Sequence, residues 1–381
     1  MPRSFVIGDR VLTADGWVDG QGIEINGGLI DAVRPPPNDP SDNVHNYPGC
    51  MIVPGFIDVQ VNGGGGVQFN ATITPDAIQE IGAAHARFGT TSFLPTLISD
   101  TPNAFDSALR ATADAIDARS PGVLGLHLEG PFLNTVKRGV HDASHFRQLD
   151  DGVVKQLASW GHGPLVLTVA PEVVGAPMIK QLSDAGVLLC AGHTAASYDE
   201  TREALDNGLR GFTHLYNAMP PLVSREPGPV AAALESNAWC GIIADGHHVA
   251  PSMLNLAIRA KADGRIMLVS DAMAVAASSV TTFNLGGTKI NVENGKCVDE
   301  HGTLAGSSIT MLDAVRYCVR TLGISLEDAL RMASTEPAAF LRKSDEVGML
   351  MPGYRANLAV ISPELEVIAS FIDGLQVYQK G

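Results

Sequence analysis

This sequence has no apolar run of the ~18 residues a membrane span needs, no Cys-X-X-Cys pair among its five cysteines, and few basic residues. The first absence excludes a helical membrane anchor. Its opening, MPRSFVIGDR, also lacks the apolar core of roughly 7–15 residues found in secretory signals, so the expected location is the cytoplasm. Cys50, Cys190, Cys240, Cys297 and Cys318 are scattered, three of them in apolar segments, and are expected to be reduced and structural. Lys and Arg number 26 against 41 Asp and Glu, a formal charge of −15, which argues against nucleic acid or an anionic membrane as partner. That balance still leaves room for a local basic pocket that takes a small anion. Four consecutive glycines, 63–66, are not followed by Gly-Lys-Ser/Thr, so they form no nucleotide-binding loop and are expected simply to turn the chain sharply.

What is present is 381 residues, 45% of them hydrophobic, enough for one large core or for a large domain with a small one. The first fifty residues and the last thirty alternate in short β-type runs broken by Asp-Gly and Asn-Gly-Gly turns. Neither end has strands enough to bury a face alone, so residues 1–51 and 351–381 are expected to pair into one small β-sandwich domain. Between them, over 52–350, eight apolar runs alternate with segments of helical period such as PDAIQEIGAAHARFG and PSMLNLAIRAKADG. The runs are GFIDVQVN, TSFLPTL, VLGLHLEG, PLVLTVAPE, VLLCAGHT, GFTHLYNA, CGIIADGHH and IMLVSDAM. Continuous rather than alternating runs suit parallel strands covered on both faces, which predicts a (β/α)8 TIM-like barrel over a doubly wound open sheet.

The polar residues decide where chemistry sits. Gln60, Asn62, Glu129, Glu172, His193, His214, His247, His248 and Asp271 all fall at the carboxyl ends of these runs, the ends that meet at the mouth of a barrel. One histidine after an apolar strand is more often a hydrogen-bonded core residue, and Glu129 alone could cap a helix. Together, on the third, fifth and sixth strands, Glu129, His193 and His214 make a three-ligand set with a position left for water, the pattern of a catalytic zinc.

Along nearly its whole length the chain resembles the amidohydrolase superfamily and, within it, the N-acetylglucosamine-6-phosphate deacetylases. The resemblance lies in PGFIDVQVNGGGGVQFN, LPTL, GLHLEGPFLN, KRGVHD, APE, AGHT, THLYNAMPPLVSREPG, GIIADGHHV, VSDAM and GTLAGSSITM, in that order. It implies that Glu129, His193 and His214 hold one divalent metal, with zinc the expected ion although these ligands also accept iron, cobalt or manganese, and that Asp271 is the acid/base. Such an ion lowers the pKa of its water to about 7 and polarises the acetamide carbonyl, while a neighbouring carboxylate moves the proton to the departing amine.

Superfamily members with two metals carry His-X-His on the first strand and often a lysine on the fourth. This chain has Gln60 and Asn62 at the first place and TVAPE, without lysine, at the second. Amide groups are weak zinc ligands, so a second ion is expected to be absent or weakly held, with Gln60 in a supporting role. Glu172 is open between a hydrogen-bonding support and the leftover ligand of a lost second site. The resemblance further implies that Arg225 and His248 contact a phosphate, with backbone donors from Asn217 and Ala218, and that His141 contacts the sugar or its acetyl carbonyl. It also implies a homodimer, in which the loop of Arg225 reaches the neighbouring subunit. His247 is expected to point away from His248 along a strand and has no assigned role. Residues 304–308, LAGSS, are expected to pack backbone close to the substrate before a helix starting near Ile309. A deacetylase of the galactosamine epimer, another amidohydrolase, and a non-catalytic barrel are the other readings.

Overall fold

Strands apolar on both faces need cover on both sides. The computed structural model, which describes residues 3–36, 43–261 and 264–381, provides it by setting the eight runs side by side in one parallel sheet. They are β1 (Phe56–Val61), β2 (Thr90–Ile98), β3 (Leu126–Glu129), β4 (Leu165–Val169), β5 (Leu188–Ala191), β6 (Gly211–Phe212), β7 (Trp239–Ile242) and β8 (Ile266–Leu268), each bonded to the next in chain order. Every residue of β1 and β2 is buried. Helices follow the strands and cover the outer face, among them Pro75–Ala86, Pro102–Asp117, Asp151–Ala158 and Tyr198–Asp206. These four begin on Thr74, Thr101, Asp150 and Ser197, whose side chains accept a first-turn N–H that would otherwise lack a partner. The helical segment read over 251–264 is a helix from Pro251 to Ala260, and residues 262 and 263 lie outside the described residues.

The closure between β8 and β1 separates a barrel from an open sheet, and here it is thin. One bridge joins Val61 to Ala272, and the N–H groups of Asn62 and Gly63 both donate to the Ala272 carbonyl at 2.9 Å. Gly63 permits this approach, since a Cβ there would lie 2.7 Å from the nitrogen of Ala274. Asp58 supplies most of the remaining polar closure. Its buried carboxyl accepts the Ser270 hydroxyl at 2.5 Å, the Ser270 N–H at 3.3 Å and the Gln60 N–H at 3.2 Å, and burial pushes its pKa up to about 7. Asp58→Ala would orphan the Ser270 donors in a dry seam and is expected to cost about 3 kcal/mol. A lower urea midpoint at unchanged m checks this; an unmoved midpoint would show that the seam does not depend on Asp58.

Both chain ends enter a second, mixed sheet of eight strands. Asn43–Pro54 lies at its centre, parallel to Ser4–Thr13 and antiparallel to Leu358–Ile361. The sheet rolls until Leu29 bridges Arg355, and it encloses a core that includes Val6, Ile23, Ile52, Val360 and Phe371. Its central strand runs three residues past Met51, and only Gly55 separates it from β1.

A third sheet lies outside the sequence reading. Thr282–Leu285, Thr288–Glu293, Lys296–Val298 and Leu304–Ser307 form four antiparallel strands inserted after β8. Gly286-Gly287 and Asn294-Gly295 were visible turn signals for it. The helix expected near Ile309 begins instead at Met311, because Thr310 and Asp313 form a reciprocal cap. All five cysteines are buried and free. Among the described residues no helix is long and apolar enough to cross a membrane.

Candidate metal and active site

Glu129 ends β3, His193 and His214 each stand two residues past β5 and β6, and Asp271 stands three past β8. The last three hold left-handed backbone, with φ of +48°, +29° and +49°. That conformation costs a residue bearing a Cβ about 1 kcal/mol or more, and it persists where the surrounding structure enforces it, commonly at functional sites.

The three expected ligands meet. Glu129 Oε1 lies 3.1 Å from His193 Nε2 and 3.0 Å from His214 Nε2, and the two nitrogens are 3.1 Å apart. All three side chains are buried. His193 Nδ1 donates to the Lys137 carbonyl at 2.8 Å, which places the lone pair of the neutral ring on Nε2. A lone pair facing a carboxylate oxygen at 3.1 Å is repulsive unless a cation stands between them. A tetrahedral ion with bonds of about 2.0 Å sets its ligand atoms about 3.3 Å apart, close to the triangle observed, so the residues fit a metal ion. Burial opposes the charge on Glu129, yet the two histidines beside it hold its carboxyl well below the usual range.

Gln60 and Asn62 face this cluster as donors. Gln60 Nε2 donates to Glu129 Oε2 at 3.2 Å and to Asp271 Oδ1 at 3.1 Å, and Asn62 Nδ2 donates to the same Asp271 oxygen at 2.7 Å. Two carboxylates demand the amide N–H groups, so the nitrogens stand where a second cation would need oxygens. Glu172, on the short helix Pro171–Val174 after β4, has neither oxygen in the cluster. It accepts from Asn134 Nδ2 at 2.9 Å, the Ala195 N–H at 2.6 Å and the Thr194 hydroxyl at 2.5 Å. It therefore ties down the segment that carries His193.

The cluster floors a cavity of about 300 Å³, lined also by His141, Asn217, Ala218, His248 and Asp271. His141 is buried, and burial lowers its pKa to about 3, so the ring is neutral. Its Nδ1 accepts the Ser99 N–H at 3.4 Å and lies 2.9 Å from the Ser99 hydroxyl, which leaves the proton on Nε2 as a donor. Asp245 Oδ2 lies 2.6 Å from His248 Nδ1, and Asp245 Oδ1 accepts the N–H groups of both His247 and His248. This corrects the expectation for His247. β7 ends at Ile242, so 245–249 is a bend wrapped on Asp245 rather than a strand, and His247 is exposed on it. The N–H of Asn217 is already taken by the His214 carbonyl, whereas Ala218, at φ +51°, has an N–H with no backbone partner among the described residues. Arg225 is not brought to the cavity of its own chain and lies exposed on the loop after β6.

Sequence reasoning missed Lys137, although it lies in KRGVHD; its carbonyl orients His193 and its side chain lines the cavity. It also missed Met273 and Thr303, which line the same wall. Gly306, in LAGSS, packs its backbone against that of Asp271, since a Cβ there would lie 2.8 Å from the Asp271 carbonyl.

Comparison with known proteins agrees with this geometry. The chain is 38% identical to the N-acetylgalactosamine-6-phosphate deacetylase of a Shewanella species over 98% of this chain and 95% of that one. It is 33% identical to the N-acetylglucosamine-6-phosphate deacetylase of Haemophilus influenzae, over 92% and 93%. The crystal structure of N-acetylglucosamine-6-phosphate deacetylase from Pasteurella multocida superposes with a TM-score of 0.96 at 31% identity, covering 99% of this chain and all of that one. Residues 51–377 match the amidohydrolase family, a span that takes in the whole barrel and the returning strands of the end sheet, and on that extent this chain belongs to the amidohydrolase family.

Proposed function

We propose that this protein hydrolyses N-acetyl-D-glucosamine 6-phosphate to D-glucosamine 6-phosphate and acetate, as a cytoplasmic homodimer. The observation that carries it is the convergence of Glu129, His193 and His214 within 3.1 Å of one another beside a carboxyl group, Asp271, held by two amides. One divalent ion per chain, zinc in our reading, would be held by those three residues and would polarise the acetyl carbonyl and activate a water near neutral pH. Asp271 takes the proton from the attacking water and delivers it to the sugar nitrogen, which leaves as the amine. The N–H of His141 holds the acetyl carbonyl or a sugar hydroxyl. His248, kept in place by Asp245, binds the phosphate together with the N–H of Ala218, and Arg225 enters from the neighbouring subunit.

Acetate release from N-acetylglucosamine 6-phosphate by the metal-loaded protein tests this, and no release at any loading would overturn it. The galactosamine epimer is the second reading, favoured by the 38% identity to the Shewanella relative. It replaces the first if kcat/KM for that epimer is the larger. Arg225→Ala is expected to raise KM about thirtyfold with little change in kcat, the loss of a charge-assisted contact worth about 2 kcal/mol. Hybrids of R225A with D271N chains should regain a site of normal KM, because one site then combines both intact residues across the interface. Hybrids without such a site would place Arg225 on its own chain's substrate.

A further inference from the structure

The end of the barrel opposite the catalytic mouth holds a second cavity, of about 600 Å³, beneath β6, β7 and β8. Arg210 precedes β6, Trp239 opens β7, Arg265 precedes β8, and Arg342 follows the helix Thr335–Phe340; all four line it. The guanidinium carbons of Arg210 and Arg265 stand 4.4 and 4.8 Å from the Trp239 ring centroid. Arg210 donates to the carbonyls of Phe340 and Ala339 at 2.8 and 2.9 Å, and Arg265 donates to the Asn237 carbonyl. These partners are neutral. Two carboxylates, Asp206 and Glu235, share the lining with four arginines; Glu235 is 3.6 Å from Arg202, and among the described residues no carboxylate pairs with Arg210, Arg265 or Arg342.

Such a cluster is costly in isolation. Burial, and then the like charge of Arg342, lower the pKa of Arg210, so the guanidinium groups are near enough to repel. In a chain of net charge −15 a concentration of unpaired arginines is not the average surface. Both Arg210 and Arg265 lie over the Trp239 ring; this leaves their remaining guanidinium donors and the side chain of Arg342 without a protein acceptor among the described residues. An anion with several oxygens satisfies them together, and guanidinium forks match phosphate geometry.

We propose that this basic cavity binds a small phosphate-bearing anion at a site separate from the catalytic one. It lies at the other ends of the strands that lead to His214, His248 and Asp271. Bound anion stabilises the native protein by mass action. The test is calorimetric titration of inorganic phosphate into the metal-loaded full chain, compared with Arg342→Glu and His248→Ala. Arg342 is exposed and outside the catalytic site, so R342E should keep wild-type kcat, which also verifies its folding. The expected result is saturable binding by the wild-type and H248A proteins that weakens about tenfold or more in R342E. Binding equally tight in R342E, binding lost in H248A instead, or no saturable binding by the wild type would each overturn the proposal.

Discussion

Asp271→Asn is expected to lower kcat by about a thousandfold while leaving KM within a few fold, the usual scale for loss of a positioned proton carrier. The substitution is isosteric, so packing is kept and only the proton chemistry changes. The alternatives for Asp271 are a helix cap or a clamp on the ligands. Against a cap, the residue is followed by no helix until Met311. Against a clamp, both hydrogen bonds from Gln60 and Asn62 reach Oδ1, and among the described residues no hydrogen bond engages Oδ2. One oxygen is anchored and the other is left for the reaction. Burial and, next, the carboxylate of Glu129 push the Asp271 pKa up to about 7, near the pH at which the group must exchange a proton. The base form is the unprotonated one, so kcat/KM falls as pH drops through this pKa. With the metal site loaded, Asp271 faces a cation as well as Glu129, and the acid limb should lie below pH 7. Wild-type turnover by D271N, or an unaltered acid limb in that variant, would remove Asp271 from the proton path.

The second large effect concerns the ion itself. Protein stripped by a chelator should lose acetate release by about three orders of magnitude or more and recover it fully at one equivalent of zinc per chain. His193→Ala should fail to retain the ion by elemental analysis and should stay inactive on reloading. The stoichiometry is the sharper part. Gln60 and Asn62 aim N–H donors at Glu129 and Asp271, and Glu172 spends both oxygens on Asn134, Thr194 and Ala195. The buried Asn62 Oδ1 is left without a partner, and a lone neutral amide oxygen is a weak ligand for a second ion. Recovery only at two equivalents would mean that these side chains rearrange on loading and that the one-ion account is wrong.

Burial was the part of this fold most legible in the residues. Eight runs apolar on both faces, with their ionisable residues gathered toward the carboxyl ends apart from Asp58 and His127, carry the barrel and its mouth in the one-dimensional pattern, because a parallel strand covered on both sides shows no regular polar alternation. Glu129, His193, His214 and Asp271 stood out for the same reason: an ionisable group at the end of such a run is costly unless something receives it. The alternating ends likewise announced a sheet that neither could complete alone.

Pairing between distant residues was not legible, since periodicity reports which face is buried and not what covers it. The inserted sheet over 282–307, mostly short and part-exposed strands, had turn signals but little apolar pattern. The Asp58–Ser270 seam joins residues 212 apart, and the roles of Glu172 and Asp245 appear only once loops are folded onto them. Arg210, Trp239, Arg265 and Arg342 look like ordinary scattered residues along the chain. They become one basic cavity only because barrel closure brings the amino ends of β6, β7 and β8 together. The sequence by itself determined which elements form and which residues needed partners; chain closure, a matter of long-range geometry and its entropy cost, decided which partners they found.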